Sequence, residues 1–188
     1  MSRIYTDLDI DKLIQNCINN DRESQKQFYM LTAERLMNVS RRYTKDISDA
    51  KDILQNAYIK IFKKLENFDS EKGNLNSWLT KIVINEALQL LRKNKRLAER
   101  EQIGNQQFEE LSTPEVIARL QAEDVMKLMK LLPDGYRIVF NMSVVEGYSH
   151  REIAAALNIS ESTSRSQLTR AKRMLRDLLN DQKTAELC

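Results

Sequence analysis

An all-α fold in two helical domains joined by a flexible linker is what this sequence predicts, and three observations carry the prediction. Glycine and proline are scarce, four and two in 188 residues, which favours long uninterrupted helices over many-turned β architectures. Apolar residues recur with the i, i+3, i+4, i+7 rhythm of helices, and no alternating strand of useful length stands out. Between residues 98 and 113 the rhythm stops and the chain turns polar, "AEREQIGNQQFEELST", which divides it into domains 1–97 and 114–188.

The first domain reads as four helices. Asp7 to Asn19 and Asp21 to Ser40 come first, the second carrying Phe28, Leu31, Leu36 and Val39. Asp46 to Phe68 is the clearest amphipathic segment, with Ala50, Ile53, Leu54, Ala57, Tyr58, Ile61, Phe62 and Leu65 on one face. Its polar face holds Asp52, Gln55, Asn56, Lys60 and Lys63, yet Ile59 lies in the middle of it. An isolated exposed isoleucine is ordinary. An apolar knob ringed by Asp, Gln and Asn is also the make-up of a protein-docking site. "NFDSEKGNLN" then breaks the pattern with turn formers, and a helix resumes at Asn76 or Ser77 and runs into the basic stretch "RKNKRLAER". Cations there suit a helix C-terminus, and they equally form a second cationic surface. Trp78, the one tryptophan, is a core residue by default. Beside Asn74, Asn76 and Asn85 it can instead be a wall for unpaired bases.

The second domain restarts at "STPEV", where Ser112 or Thr113 can cap a helix, Pro114 fits its first turn and Glu115 suits its dipole. Val116 to Leu132 is predicted helical, "LPDG" turns, and Tyr136 to Glu146 is helical again. Ser149-x-x-Glu152 is a capping box opening a short helix, Ile153 to Leu157, which ends at Asn158, a residue tolerant of the left-handed conformation. The small side chains Ala154, Ala155 and Ala156 allow close helix approach, Ser160 can cap the next helix, and Glu161 sits in its first turn. In that last helix Leu168, Ala171, Leu175 and Leu178 share one face, at about 100° per residue. Arg165, Ser166, Thr169, Arg170, Lys172, Arg173 and Arg176 gather on the other. A solvated face normally mixes Glu with Lys; this one is almost wholly cationic. Such a helix suits a solvated surface, a membrane surface or DNA. The short capped helix before it favours DNA, because helix, tight turn and cationic helix make a helix-turn-helix. His150, the single histidine, reads as a surface residue or a phosphate contact.

Other function classes receive little support. The net charge is only +3, so the placement of cations matters more than their sum. Cys17 and Cys188 show no metal-ligand spacing and no disulfide framework, which suits a reducing compartment. No signal-peptide core or membrane span is expected, and a cytoplasmic protein is. No nucleophile–base spacing, paired acids or glycine-rich phosphate loop stands out, so no enzyme, metal, cofactor or small-molecule substrate is expected.

Two stretches carry a family resemblance. "DAKDILQNAYIKIFKKLENFD…NLNSWLTKIVINEALQLLRKNKR" resembles region 2 of bacterial group IV sigma factors, the extracytoplasmic-function class of the sigma-70 superfamily, and "LLPDGYRIVFNMSVVEGYSHREIAAALNISESTSRSQLTRAKRMLRDLL" resembles their region 4. The resemblance implies a region 2 bundle over 1–97, a linker over 98–113 and a region 4 helix-turn-helix over 114–188. It implies that Asp52, Gln55, Asn56, Ile59 and Lys60 dock on core RNA polymerase. It implies that Asn67, Phe68, Asn74, Asn76, Trp78, Lys81, Asn85 and Arg92 hold promoter DNA at the −10 element, where a base is flipped into a pocket. Ser149, Ser162, Thr163, Arg165, Ser166, Gln167, Thr169, Arg170 and Arg173 are then expected at the −35 element. An anti-sigma factor, often membrane-anchored in this class, is expected as a further partner. Ser164 stands where many members have Val and Gln167 where Arg is common; both are expected near the reading surface, shifting −35 preference. No appended regulatory domain is expected. The competing expectation is a stand-alone helix-turn-helix regulator whose first domain dimerises or binds a ligand.

Overall fold

The computed structural model describes residues 7–99 and 122–186, with side chains over 9–93 and 127–179. The expected linker, 98–113, and the expected helix start at 116 lie outside that description except for 98 and 99, which are helical. The chain divides into two compact units, Met1–Lys95 and Arg96–Cys188.

Four helices build unit 1: α1 (Asp7–Ile18), α2 (Arg22–Tyr43), α3 (Ile47–Lys64) and α4 (Leu75–Glu99). Asp21 precedes α2 rather than opening it, and its carboxylate accepts the Ser24 N–H at 2.8 Å, satisfying a donor the helix leaves bare. The Ser24 side chain first, and then this backbone bond, hold the Asp21 carboxyl below the usual carboxylate range. Apolar positions on all four helices share one core, including Leu13, Phe28, Leu36, Ile53, Ile61, Leu79 and Ile84. Cys17 belongs to it, and burial, aided by Asp21, pushes its thiol up to about 11, which leaves it protonated and unreactive. Polar links between helices tie the bundle. Thr32 Oγ1 lies 2.6 Å from the Tyr58 hydroxyl, joining α2 to α3, and the Lys60 ammonium meets the buried Glu86 carboxylate, joining α3 to α4.

The third helix ends earlier than its apolar pattern predicts. After Lys64 the chain tightens into a 3₁₀ turn, Leu65–Asn67, which keeps Leu65 buried and turns Phe68 into extended backbone. Periodicity alone could not show this, since Leu65 is a core residue under either geometry. A second short turn, Ser70–Lys72, leads to α4, which begins at Leu75 because Asn74 accepts the Asn76 N–H at 2.7 Å.

Unit 2 contains α5 (Ala122–Leu131), α6 (Asp134–Phe140), α7 (His150–Leu157) and α8 (Glu161–Glu186). Its core joins Leu128, Met129 and Leu132 to Phe140 and to Ala171, Leu175 and Leu179 of α8, with Leu168 and Leu178 packed against them. The predicted helix 136–146 starts at Asp134, directly after Pro133, and widens into a π turn over Asn141–Val145. That widening buries Asn141 and Met142 and leaves Val144 and Val145 exposed. Gly147, with φ +75°, then reverses the chain at a conformation few other residues adopt. Arg137 is fully buried, its guanidinium donating to the Leu132 carbonyl and to Asp134.

The helix-turn-helix follows its local signals. Ser149 and Glu152 exchange side-chain and backbone bonds at 2.9 and 3.3 Å, so α7 begins at His150, three residues before the apolar run. Asn158 takes the left-handed conformation, φ 56° and ψ 50°, and the Ser160 hydroxyl accepts the Thr163 N–H at 3.0 Å to cap α8. The turn is three residues long because both of its ends are capped.

Replacing Ser149 by Ala is expected to destabilise unit 2 by about 1 kcal/mol, read by thermal or denaturant unfolding. For Asp21 the sign is that of a depressed acid. Its contribution is present above an ordinary carboxyl value of 3.8 and is lost as pH falls through its own lower value. Unfolding followed from pH 6 to 2 is expected to show Asp21→Ala converging on the wild type at the acid end.

Candidate protein-docking and nucleic-acid interfaces

The buried stripe of α3 fixes what its other side presents. With Ala50, Ile53, Ala57 and Ile61 inward, Asp52, Gln55, Asn56 and Ile59 emerge together, and Ile59 is 48% exposed. The sequence did not reveal that this knob borders a groove. Tyr29 and Met37 of α2 and Leu54, Tyr58, Ile59 and Phe62 of α3 line an apolar depression of about 580 Å³. The Tyr29 and Tyr58 rings, 4.7 Å apart, form its floor with Phe62 beyond. Met30, 73% exposed, lies next to Met37 around α2 and extends the apolar surface, whereas Leu31 emerges on the other side of that helix's buried stripe. The adjacent pair Tyr29-Met30 was the available signal, since successive side chains about 100° apart cannot both be buried on one narrow face. Lys60, expected on the docking face, instead turns toward α4, where Glu86 and Gln89 hold it.

At the other end of α3 the loop is ordered by its own contacts. Phe68 packs on Trp78, ring centres 5.6 Å apart and tilted by 56°. Asp69 accepts the Glu71 N–H at 3.0 Å and pairs with Lys72 at 2.8 Å, which holds the Asp69 carboxyl down and the Lys72 ammonium up. Asn74 spends its side chain capping α4, whereas Asn67 and Asn76 are exposed. From Trp78 onward, Lys81, Asn85 and Arg92 lie within about 60° of one another around α4, an open polar stripe some 21 Å long. Arg35 of α2, which sequence reasoning passed over, braces the start of this stripe through the Asn76 carbonyl and the Thr80 hydroxyl at 2.9 Å.

On α8 the buried edge again decides the roll. Arg165 and Arg173 are exposed, while Ser166, Thr169 and Arg170 are half-buried at the margin. Ser166 and Thr169 donate to backbone carbonyls of their own helix, and Ser160, Ser162 and Thr163 cluster their hydroxyls at its N-terminus. Arg165 pairs with Glu161 at 3.3 Å, and the Nε of Arg170 is enclosed without an acceptor in the protein. Two positions differ from expectation. Gln167 lies with its amide against Gly135 of α6, on the inward side of α8. Ser164 is fully buried, and its hydroxyl sits 2.8 Å from Nδ1 of His150, so neither it nor the half-buried histidine is a free surface group. A Cβ at Gly135 would stand 3.4 Å from that amide, an ordinary packing distance, so the glutamine closes over this point of α6.

Among the described residues no group of three or more His, Cys, Asp or Glu is placed to hold a metal ion, and no helix is long and apolar enough to cross a membrane.

Comparison with known proteins agrees with this division. Residues 28–97 match the sigma-70 region 2 model and residues 122–175 match the sigma-70 region 4 model. The chain is 29% identical over 154 residues to the ECF RNA polymerase sigma factor SigE of Mycolicibacterium smegmatis, covering 78% of this chain and 58% of that one. It therefore spans less than two thirds of that relative's length. It is 25% identical to SigK of Mycobacterium tuberculosis, over 92% of this chain and 94% of that one, and 24% identical to SigW of Bacillus subtilis, over 92% and 97%. Among solved structures, the sigma factor RpoE of Bartonella quintana, crystallised with the anti-sigma factor NepR, shares the fold with a TM-score of 0.53. That likeness covers 82% of this chain and 96% of that one at 24% identity. A stand-alone regulator is not favoured, because the first unit matches region 2 rather than a dimerisation or ligand domain. Two sigma-70 regions in family order, over the two units the fold separates, show that the chain belongs to the sigma-70 family of transcription initiation factors, in its extracytoplasmic-function class.

Proposed function

We propose that this protein docks on core RNA polymerase through the exposed face of α3 and the adjoining groove, and directs initiation at promoters whose −10 element is held by unit 1 and −35 element by unit 2. The observation that carries the docking assignment is Ile59, held half-exposed at the rim of an apolar groove by a helix whose other face is closed. Such a depression with a polar border has the make-up of a protein interface. Asp52, Gln55, Asn56 and Ile59 form its contact face, with Lys60 at its edge toward α4.

At the −10 element, Asn67, Phe68, Asn76 and Trp78 border the loop that receives a flipped base. Asn74 keeps that loop in shape from the cap of α4. Extruding a base costs a few kcal/mol, and a loop already braced by Phe68–Trp78 and Asp69–Lys72 adds little ordering entropy to that cost. Lys81, Asn85 and Arg92 then track the opened strand along α4. At the −35 element α8 enters the major groove. Arg165, Ser166, Thr169, Arg170 and Arg173 face the DNA there, with Ser149, Ser162 and Thr163 at the backbone. Gln167 acts from beneath this surface, by fixing the approach of α6. Two DNA contacts on one chain raise the effective concentration of the second once the first is made.

The role is non-catalytic and cytoplasmic: the polymerase supplies the phosphodiester chemistry. An anti-sigma factor that covers the groove would block docking, and the sigma factor–NepR complex of Bartonella quintana supports such a partner. Run-off transcription with purified core enzyme and genomic fragments tests the whole reading: new promoter-specific transcripts are expected, and none above core enzyme alone would overturn it.

Ile59→Asp is expected to cost about 2–4 kcal/mol of affinity for core enzyme without lowering the melting temperature. Unchanged co-elution with core enzyme would contradict the docking face. Arg170→Ala is expected to weaken −35 binding by about 1–3 kcal/mol with relaxed sequence preference, and an equal loss on all sequences would mark a phosphate contact instead.

A further inference from the structure

Ser164 is a hydroxyl in a fully enclosed position on the recognition helix, and the one hydrogen bond the structure gives it there is to Nδ1 of His150. A buried O–H needs an acceptor. In its own turn the Ser160 carbonyl receives the Ser164 N–H at 3.0 Å, and the hydroxyl makes no bond to it. The hydroxyl proton therefore goes to Nδ1. A neutral imidazole that accepts at Nδ1 carries its proton on Nε2, at the far side of the ring from the buried serine. The ring lies beside the cationic face of α8. Arg165, Lys172 and Glu161, all from that helix, are the charged groups that act on it. Burial first, then Arg165, hold the imidazole below its ordinary value, with Lys172 adding to this and Glu161 opposing it. In the free protein at neutral pH the ring is uncharged.

We infer that His150, oriented by Ser164, is a DNA-backbone contact of unit 2, with its Nε2–H donated to a phosphate next to the one met by Arg165. The inference rests on the reading of α8 as the −35 helix. Ser164 is then a positioning residue: it sets the tautomer and angle of the ring without touching DNA. It also gives the unusual serine a purpose that an aliphatic side chain at the same buried site does not have.

The test uses the full chain bound to core enzyme, with the duplex promoter fragment that gives transcripts in the run-off assay and a scrambled duplex of equal length. His150→Ala is expected to weaken both about 3–10-fold at neutral pH and to leave the slope of log affinity against log salt unchanged, because an uncharged ring releases no counterion. Ser164→Val keeps the buried packing and removes the orienting bond. Its loss should be smaller, and the double variant should bind no worse than His150→Ala. The ¹⁵N spectrum of the imidazole should show the Nε2–H tautomer in the wild type and a mixture in Ser164→Val. His150→Phe, which keeps a ring without a donor, should repeat the loss if His150→Ala does not fold. Unchanged binding in His150→Ala, a salt slope lowered by that variant, losses that add in the double variant, or a wild-type ring protonated on Nδ1 would overturn the inference. If Arg165→Ala also leaves binding unchanged, the DNA face itself is misassigned, and the two failures are told apart.

Discussion

Burial of the Ala171–Leu175–Leu179 edge of α8 against Leu128, Leu132 and Phe140 is the constraint on which unit 2 depends. A helix packed along one edge keeps freedom only to roll about its axis. Each large aliphatic side chain removed from water contributes about 1.5–3 kcal/mol. A roll of one residue would exchange that gain for burial of Arg170 or Lys172, whose charge could not be paired there. The cationic face therefore points outward as a consequence of core packing. The same reasoning holds in unit 1, where Ala50, Ile53, Ala57 and Ile61 close the inner side of α3 and force Ile59 out despite its apolarity.

Roll alone would leave each helix free to slide. Polar groups set the axial register: Asp21 starts α2, Asn74 starts α4, and Ser149 with Glu152 starts α7. Asn158 and Ser160 make the turn into α8 three residues long, which fixes where along the recognition helix Arg165 and Thr169 fall. Across helices, Thr32 with Tyr58 and Lys60 with Glu86 do the same for the groove and the stripe of α4. The three proposed interfaces are thus prepared before any partner arrives, and preorganisation of this kind lowers the ordering cost of binding.

Much of this was legible in the chain. Helix order, the capping box, the left-handed Asn158, the outward Ile59 and the cationic face of α8 all depend on neighbours within about four residues, where spacing and side-chain chemistry suffice. The end of α3 was misplaced because the chain changes winding after Lys64 while Leu65 stays a buried apolar residue, so the hydrophobic pattern continues across a geometric break. The groove escaped notice because its walls come from α2 and α3 together, and neither sequence alone shows a depression.

By itself, then, the sequence determined the helices, their faces and the two-unit order, because those follow from local periodicity and capping. Tertiary structure decided the polar residues at the margins. Lys60 went to Glu86, Gln167 lies against Gly135 of α6, and Ser164 went to His150. A polar side chain at the edge of an apolar stripe can face either way. Which way it turns depends on whether a second helix brings it a partner, and that partner is distant in sequence or, as with His150, lies across a turn whose angle the fold sets.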